Sequence, residues 1–234
     1  MSFEIAISNW FHSFSTPWLD FIFKSITTVG SGSFLTIVIV IVSIFLLFRF
    51  ELHKSHIVVL SGIMSGLGSF FLKRAFDRPR SDLWIPLVEE HSLSFPSGHA
   101  MISVAVYGAL AMFLAEKYPN RKMRIYSLFG ILIFLIGISR IYLGVHWTTD
   151  ILGGWVFGGL VLSLMVWWYH KGGIGRLFRI GIGLITIILG LIGMIFPLIP
   201  GIPMLILGFL LVFSSKSITG MFRKKRPLNQ YNLL

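Results

Sequence analysis

The chain of 234 residues contains no cysteine, which excludes disulfides, thiolate metal sites and a cysteine nucleophile. Charge is scarce as well. Only 12% of its residues are charged while 55% are hydrophobic, against about 25% charged in an ordinary soluble domain, and the mean hydropathy is +0.84. A soluble globular protein is excluded on that ground. Acidic residues are the rarest charges, 9 Asp and Glu against 20 Lys and Arg, for a net charge of +11. The N-terminus lacks the basic region that opens a secretory signal, and Glu4 stands where such a region carries Lys. The apolar segments are therefore expected to stay in the mature protein.

What the sequence has in abundance is long apolar runs. A membrane-spanning helix needs about 20 mostly apolar residues, and the runs at 33–48, 57–72, 100–115, 125–145 and 151–169 predict five transmembrane helices. Ahead of them, 3–29 is amphipathic, is interrupted at Pro17 and contains Asp20 and Lys24, which predicts an interfacial helix. Beyond them, 180–196 and 202–213 flank a turn from Pro197 to Pro203, which predicts a hairpin that spans twice or re-enters. The expected fold is thus an all-α integral membrane protein: a bundle of five core transmembrane helices, an N-terminal interfacial helix and a C-terminal two-helix hairpin. Its expected divisions are 1–30, 31–170 and 171–234. Gly62 with Gly66 and Gly154 with Gly158, each four apart, predict close helix packing.

The basic charge is not spread evenly. Lys and Arg dominate 49–56, 116–124, 171–179 and 216–226, whereas the alternate connections at 73–90 and 140–150 balance and the N-terminal segment is slightly acidic. Cytoplasmic loops collect Lys and Arg, so the basic loops are expected in the cytoplasm, facing anionic lipids, and nucleic-acid binding is not expected. A multi-pass protein of the cytoplasmic membrane follows, with the balanced loops on its outer face.

Those outer loops hold four cations between Lys73 and Arg80, more than orientation explains. Snorkelling to lipid headgroups is the plain reading of such a cluster. A second cluster, Ser94 to His99, opens the third apolar run with Pro96, a capping-type Ser97 and Gly98, and a helix N-terminus of this kind binds phosphate. A third places Arg140 at the end of an apolar run, His146 six residues on and Asp150 four residues later. If that stretch is helical, His146 and Asp150 share a face. Each cluster alone has a structural explanation; together they supply the parts of phosphoryl transfer. A neutral imidazole attacks phosphorus, a carboxylate fixes its tautomer and stabilises the charge that develops, a second imidazole protonates the leaving oxygen, and cations hold the phosphate oxygens. His146 with Asp150, His99, and Lys73, Arg80 and Arg140 fit these roles, with Ser97 and Gly98 adding hydrogen bonds.

These blocks resemble those of the type 2 phosphatidic acid phosphatases, integral-membrane lipid phosphatases that share their site with vanadium haloperoxidases. The family pattern is Lys-x6-Arg-Pro, then Pro-Ser-Gly-His, then Ser-Arg-x5-His-x3-Asp. Lys73 and Arg80, Pro96 to His99, and Ser139, Arg140, His146 and Asp150 match it in type and spacing. One position departs: Ser81 replaces the proline after Arg80, while an Arg-Pro occurs at Arg78 and Pro79, which keeps Arg78 as an alternative phosphate contact. The resemblance extends over about 27–169 and leaves the C-terminal hairpin without a function beyond packing or oligomerisation. It implies that His146 is the nucleophile forming a phosphohistidine, Asp150 its orienting partner and His99 the general acid. Lys73, Arg80, Ser97, Gly98 and Arg140 would bind phosphate, with no metal and no cofactor. Undecaprenyl pyrophosphate, phosphatidylglycerol phosphate, phosphatidate and lysophosphatidate are the implied substrates, the first two ahead of the others.

Three further readings share these residues. A phosphotransferase would resolve the phosphohistidine with a lipid or sugar hydroxyl. A lipid-phosphate binder or transporter would use the cations and have no need of His146. A metal enzyme would ligate through His146, His99, Asp150 and Asp82, against the repulsion of Lys73, Arg80 and Arg140. Outside the blocks, His12, His53, His56 and His170 read as interfacial, and Glu89, Glu90 and His91 lie where they could touch a headgroup.

Overall fold

The computed structural model describes residues 2–171 apart from Asp82, with Leu184, Ile187, Leu205, Gly208 and Phe209 beyond. Among the described residues the chain forms seven α-helices and no strand: α1 (Ser2–His12), α2 (Pro17–Val29), α3 (Gly32–Phe48), α4 (Leu52–Phe76), α5 (Gly98–Lys117), α6 (Lys122–Tyr142) and α7 (Thr148–His170). The expected C-terminal hairpin and the basic tail lie outside the described residues.

Local chemistry sets the helix ends. Thr16 caps α2, its Oγ1 accepting from the Leu19 N–H at 3.3 Å, and Pro17 takes the first helical position, where no N–H is needed. Ser31 caps α3 in the same way through the Phe34 N–H at 3.2 Å. Helix α4 stops at Asp77, which adopts a left-handed φ of 44° and donates its N–H to the Lys73 carbonyl. Between α6 and α7 the chain turns at Gly144, where φ is +75° and a Cβ would stand 2.4 Å from the Trp84 indole nitrogen. Only glycine satisfies both conditions there.

Helices α4, α5 and α7, and the stretch Pro119–Tyr142 that contains α6, are each long and apolar enough to cross a membrane. The protein is therefore a multi-pass membrane protein. Helices α2 and α3, expected as an interfacial helix and the first span, follow one another directly. Helix α3, with 17 residues, qualifies only together with α2, from which it bends by 47°. Two residues, Gly30 and Ser31, connect α2 to α3.

Helix α5 occupies the centre, against α4, α6 and α7. Its buried side is built of small residues, among them Ala100, Ser103, Ala105, Ala109 and Ala111, which let neighbouring backbones approach where lipid gives no hydrophobic drive to pack. The approach is closest at α7, where a Cβ on Gly158 would lie 2.5 Å from the Met101 carbonyl oxygen. Gly62 likewise faces Ile39 of α3, whereas Gly66 meets open space, so only one member of that expected pair serves packing. The opposite faces, such as Ile37, Ile41 and Ile44 on α3 and Val156 and Leu160 on α7, stay exposed as a lipid-facing surface requires. This arrangement brings the end of α4, the start of α5, the end of α6 and the start of α7 together at one end of the bundle.

Candidate active site

Four helix ends and one loop supply the polar side chains at that end. Helix α6 ends with Arg140, the turn that follows carries His146, the first turn of α7 carries Asp150, and Ser97, Gly98 and His99 open α5. The last turn of α4 carries Lys73, and the loop between α4 and α5 brings Arg78, Arg80, Glu90 and Ser94.

His146 and Asp150 are buried, 2% and 0% exposed, with His146 Nδ1 3.2 Å from Asp150 Oδ2. The pair does not form along a helix, as the spacing suggested, because α7 begins only at Thr148. Asp150 instead reaches back over the start of α7, and the same Oδ2 accepts from the Trp147 N–H at 2.9 Å. A carboxylate that caps its own helix is fixed in place by the backbone. The Ser94 hydroxyl adds a third donor to Oδ2, and Arg78 Nη1 donates to Oδ1 at 2.8 Å. Both oxygens of the carboxylate are thus engaged.

The other ring nitrogen of His146, Nε2, lies 3.3 Å from Arg80 Nη1. A guanidinium only donates, so Nε2 accepts, and the proton sits on Nδ1 facing Asp150. Burial holds His146 well below the ordinary histidine range, at about 3, against the opposing bond from Asp150. The ring is therefore neutral at physiological pH, and the Nε2 lone pair faces a cation. Arg80 itself is tied by Nε to the Ser92 carbonyl at 2.6 Å and by Nη1 to the Val145 carbonyl at 2.5 Å. Burial lowers its pKa as well, while Glu90 and Asp150 oppose the shift.

Arg140 is 2% exposed, so it does not reach out to lipid headgroups. Its Nη1 donates to Thr27 Oγ1 on α2 at 2.8 Å, its Nη2 donates to Glu90, and its Nε is buried without a partner. Glu90 also stands 3.5 Å from Arg80 Nη2. One carboxylate thus bridges the two arginines expected to hold phosphate. Lys73 donates to the Leu93 carbonyl. Ser97 does not make the capping bond expected of it; its Oγ is fully buried and unpartnered, like Arg140 Nε, and such orphaned groups are rare away from binding sites. A Cβ on Gly98 would lie 3.2 Å from Ser69 Oγ. His99 lies within electrostatic reach of Arg140, His146, Arg80 and Lys73.

The structure also separates the two loop arginines. Arg80 touches His146 Nε2, whereas Arg78 engages Asp150, Thr149 and Glu4. Ser139 donates to the Ile136 carbonyl within α6 at 2.7 Å and so faces the helix. Glu90, Glu4 and Ser94 join the site without having been assigned a role from sequence. For Glu90 the available signal was an acid in the same connection as four cations. Among the described residues no three His, Asp or Glu side chains are grouped as metal ligands; Asp82 lies outside them.

The chain is similar to known proteins. The chain is 39% identical over 152 residues to phosphatidylglycerophosphatase B of Bacillus subtilis, which covers 64% of this chain and 74% of that protein. It is 36% identical over 73 residues to an undecaprenyl-diphosphatase of Sulfolobus acidocaldarius, covering 31% and 32% of the two chains. The crystal structure of a transmembrane PAP2-type phosphatidylglycerolphosphate phosphatase from Bacillus subtilis superposes with a TM-score of 0.69 at 37% identity, over 73% of this chain and 86% of that one. Aquifex aeolicus LpxE gives 0.58 at 26% identity, over 69% and 93%. The PAP2 superfamily pattern itself matches residues 55–174, from the first turn of α4 past the end of α7, and by that match, more than half of its length, the chain belongs to the PAP2 superfamily, the type 2 phosphatidic acid phosphatases.

Proposed function

We propose that the chain is a lipid phosphate phosphatase that works without a metal, through a phosphohistidine on His146, at the outer face of the cytoplasmic membrane. The observation that carries this reading is the neutral, buried His146, with Nδ1 held by Asp150 and Nε2 facing the Arg80 guanidinium. Nε2 attacks phosphorus in line, and the bond from phosphorus to the lipid oxygen breaks. His99 gives its proton to that oxygen. Lys73, Arg80 and Arg140, with the Ser97 hydroxyl and the N-terminus of α5, hold the equatorial oxygens as charge spreads over them. The imidazolium that results is stabilised by Asp150. Water then attacks the phosphohistidine, His99 takes its proton, the P–N bond breaks, and phosphate leaves with His146 neutral again.

A carboxylate bridging Arg140 and Arg80 supports the phosphate assignment, because two arginines converging on one acid group offer the charge and geometry that a phosphate requires. A cleft of about 440 Å³ lined by Phe76, Asp77, Arg78, Pro79 and Phe95 lies beside the site and favours a substrate with a hydrocarbon part. Undecaprenyl pyrophosphate and phosphatidylglycerol phosphate are the leading substrates, in keeping with the names of the two relatives. The basic loops at 49–56 and 116–124 join helices at the opposite end from the site, which supports an outward site and cytoplasmic loops facing anionic lipids.

The test is phosphate release by the purified protein in detergent micelles with excess chelator, comparing wild type with His146→Ala on a panel of lipid phosphates. Turnover that survives chelator and is lost in His146→Ala is expected. Absence of release from every lipid by a folded wild-type protein would refute the phosphatase reading, and transfer of phosphate to an added lipid or sugar hydroxyl would identify a phosphotransferase instead.

A further inference from the structure

We infer that Glu4, on the N-terminal helix α1, is a positioning residue for this reaction: acting through Arg78, it fixes the geometry and the charge of Asp150, and thereby the reactivity of His146. The inference rests on the phosphatase reading and extends the site to an element outside the matched pattern, which begins at residue 55.

Glu4 is the acidic residue of α1, a helix otherwise suited to an apolar surface, yet its carboxylate is turned inward and the residue is only 8% exposed. A buried carboxylate persists only where it is paired and hydrogen-bonded, and Glu4 is both. Oε1 and Oε2 accept from Arg78 Nη2 at 3.1 and 3.0 Å. Oε1 also accepts from the Thr149 hydroxyl and stands 3.4 Å from the Thr149 N–H. Arg78 turns its other nitrogen, Nη1, to Asp150 Oδ1 at 2.8 Å and to Thr149 Oγ1 at 2.5 Å. Glu4, Arg78, Asp150 and His146 therefore form one continuous chain of charge-assisted bonds, with Thr149 bracing it from α7.

Electrostatics gives the chain a purpose. Asp150 has to stabilise the imidazolium that forms on His146, and an isolated guanidinium on its other oxygen would draw that negative charge away. Glu4 shares the Arg78 cation, so the three groups together carry one net negative charge and Asp150 keeps its influence on the ring. The bonds from Thr149 and Arg78 outweigh the effect of burial and hold the Glu4 carboxyl below its ordinary pKa, which keeps it ionised. The other charged groups around His146, namely Arg80 and Glu90 from the loop, Arg140 from α6, Lys73 from α4 and His99 from α5, do not touch Glu4 and act on the phosphate side. Loss of Glu4 is therefore expected to reduce turnover and leave substrate binding intact.

The experiment measures kcat, KM and the unfolding midpoint in detergent for wild type, Glu4→Gln, Arg78→Gln and the double variant, with His146→Ala as the inactive control. Glu4→Gln is expected to lower kcat by about 10- to 100-fold, the scale of a misplaced catalytic group. KM should stay within about twofold and the midpoint within a few degrees, since the neutral amide of Gln retains the shape of the side chain. In the Arg78→Gln background the same change should cost nothing more, because Glu4 acts through Arg78. Wild-type kcat in Glu4→Gln, or losses that multiply in the double variant, would overturn the inference, as would a fall in kcat that tracks the unfolded fraction. Should Glu4→Gln fail to fold, Thr149→Val removes one brace and leaves the ion pair; a several-fold lower kcat at unchanged KM is expected, and an unchanged kcat overturns the role. Wild type without turnover sinks the phosphatase reading and this inference together, whereas an active wild type with an unaffected Glu4→Gln sinks only the inference.

Discussion

Asp150→Asn is the most informative single change, because four donors converge on the two oxygens of that carboxylate. His146 Nδ1, the Trp147 N–H and Ser94 Oγ share Oδ2, and Arg78 holds Oδ1. An amide has one oxygen and one NH2 group. If its oxygen faces His146, its NH2 faces the guanidinium of Arg78, leaving a buried donor against a cation at a cost of about 1–3 kcal/mol. If it flips, NH2 meets Nδ1, the ring proton moves to Nε2, and the attacking lone pair is lost. Either way the charge that stabilises the imidazolium disappears. At the observed separation of 3.2 Å, a pair of unit charges is worth about 5 kcal/mol at an effective dielectric constant of about 20. That corresponds to a fall in kcat of roughly 10³- to 10⁴-fold. KM should change little if, as proposed, Lys73, Arg80 and Arg140 hold the phosphate, because none of them is bonded to Asp150. Steady-state phosphate release in micelles, read beside the unfolding midpoint, measures both quantities. A folded Asp150→Asn protein that keeps kcat within about tenfold of wild type would refute the assigned division of labour.

Three other outcomes follow from the geometry. The unfolded chain protonates His146 below its ordinary value of 6.5 while the folded protein does so only near 3, so stability falls as pH drops through that window, by about 2 kcal/mol between pH 6.5 and 5; equal acid sensitivity of the unfolding midpoint in wild type and His146→Asn would contradict this. Glu90→Gln frees Arg140 and Arg80 from their internal counter-charge and should tighten competitive inhibition by inorganic phosphate about 3- to 10-fold, whereas a weaker inhibition constant would show that Glu90 supports the clamp. Gly158→Ala drives a methyl group to 2.5 Å from a backbone oxygen and should destabilise the bundle by about 2 kcal/mol, while Gly66→Ala, which meets open space, should be neutral to thermal unfolding.

The bundle was legible because a bilayer demands long, uniformly apolar helices, and their ends fell within a few residues of the apolar runs. The three polar blocks were legible for a related reason: charge near a membrane edge stands out when so little is present. Legibility ended where a contact joins distant residues with no local periodicity. Glu4 finds Arg78 across 74 positions and Arg78 finds Asp150 across 72, and nothing in the intervening sequence announces either partner. Likewise Ser97 promised a helix cap from its position alone, and the structure leaves its hydroxyl unpartnered. How α2 is held was not legible, because nothing in a segment with Asp20 and Lys24 announces its partner. In the structure Asp20 is held by the Tyr142 hydroxyl at 2.6 Å, which lets α2 pack on α6 and lead directly into the span.

The capping reach of Asp150 has a consequence for the order in which the protein is made. Glu4 is synthesised first, Arg78 midway, Arg140 later and Asp150 almost at the start of the last described helix. Until α7 enters the bilayer, Glu4 and Arg78 have each other but lack the carboxylate that joins them to the bundle, and His146 has no partner on its inner nitrogen. Chains stopped before residue 150 would carry their cations at an unfinished seam. The crossing made by α7 therefore does more than add a helix to the membrane: it closes the circuit that joins the N-terminal helix, the α4–α5 loop and His146.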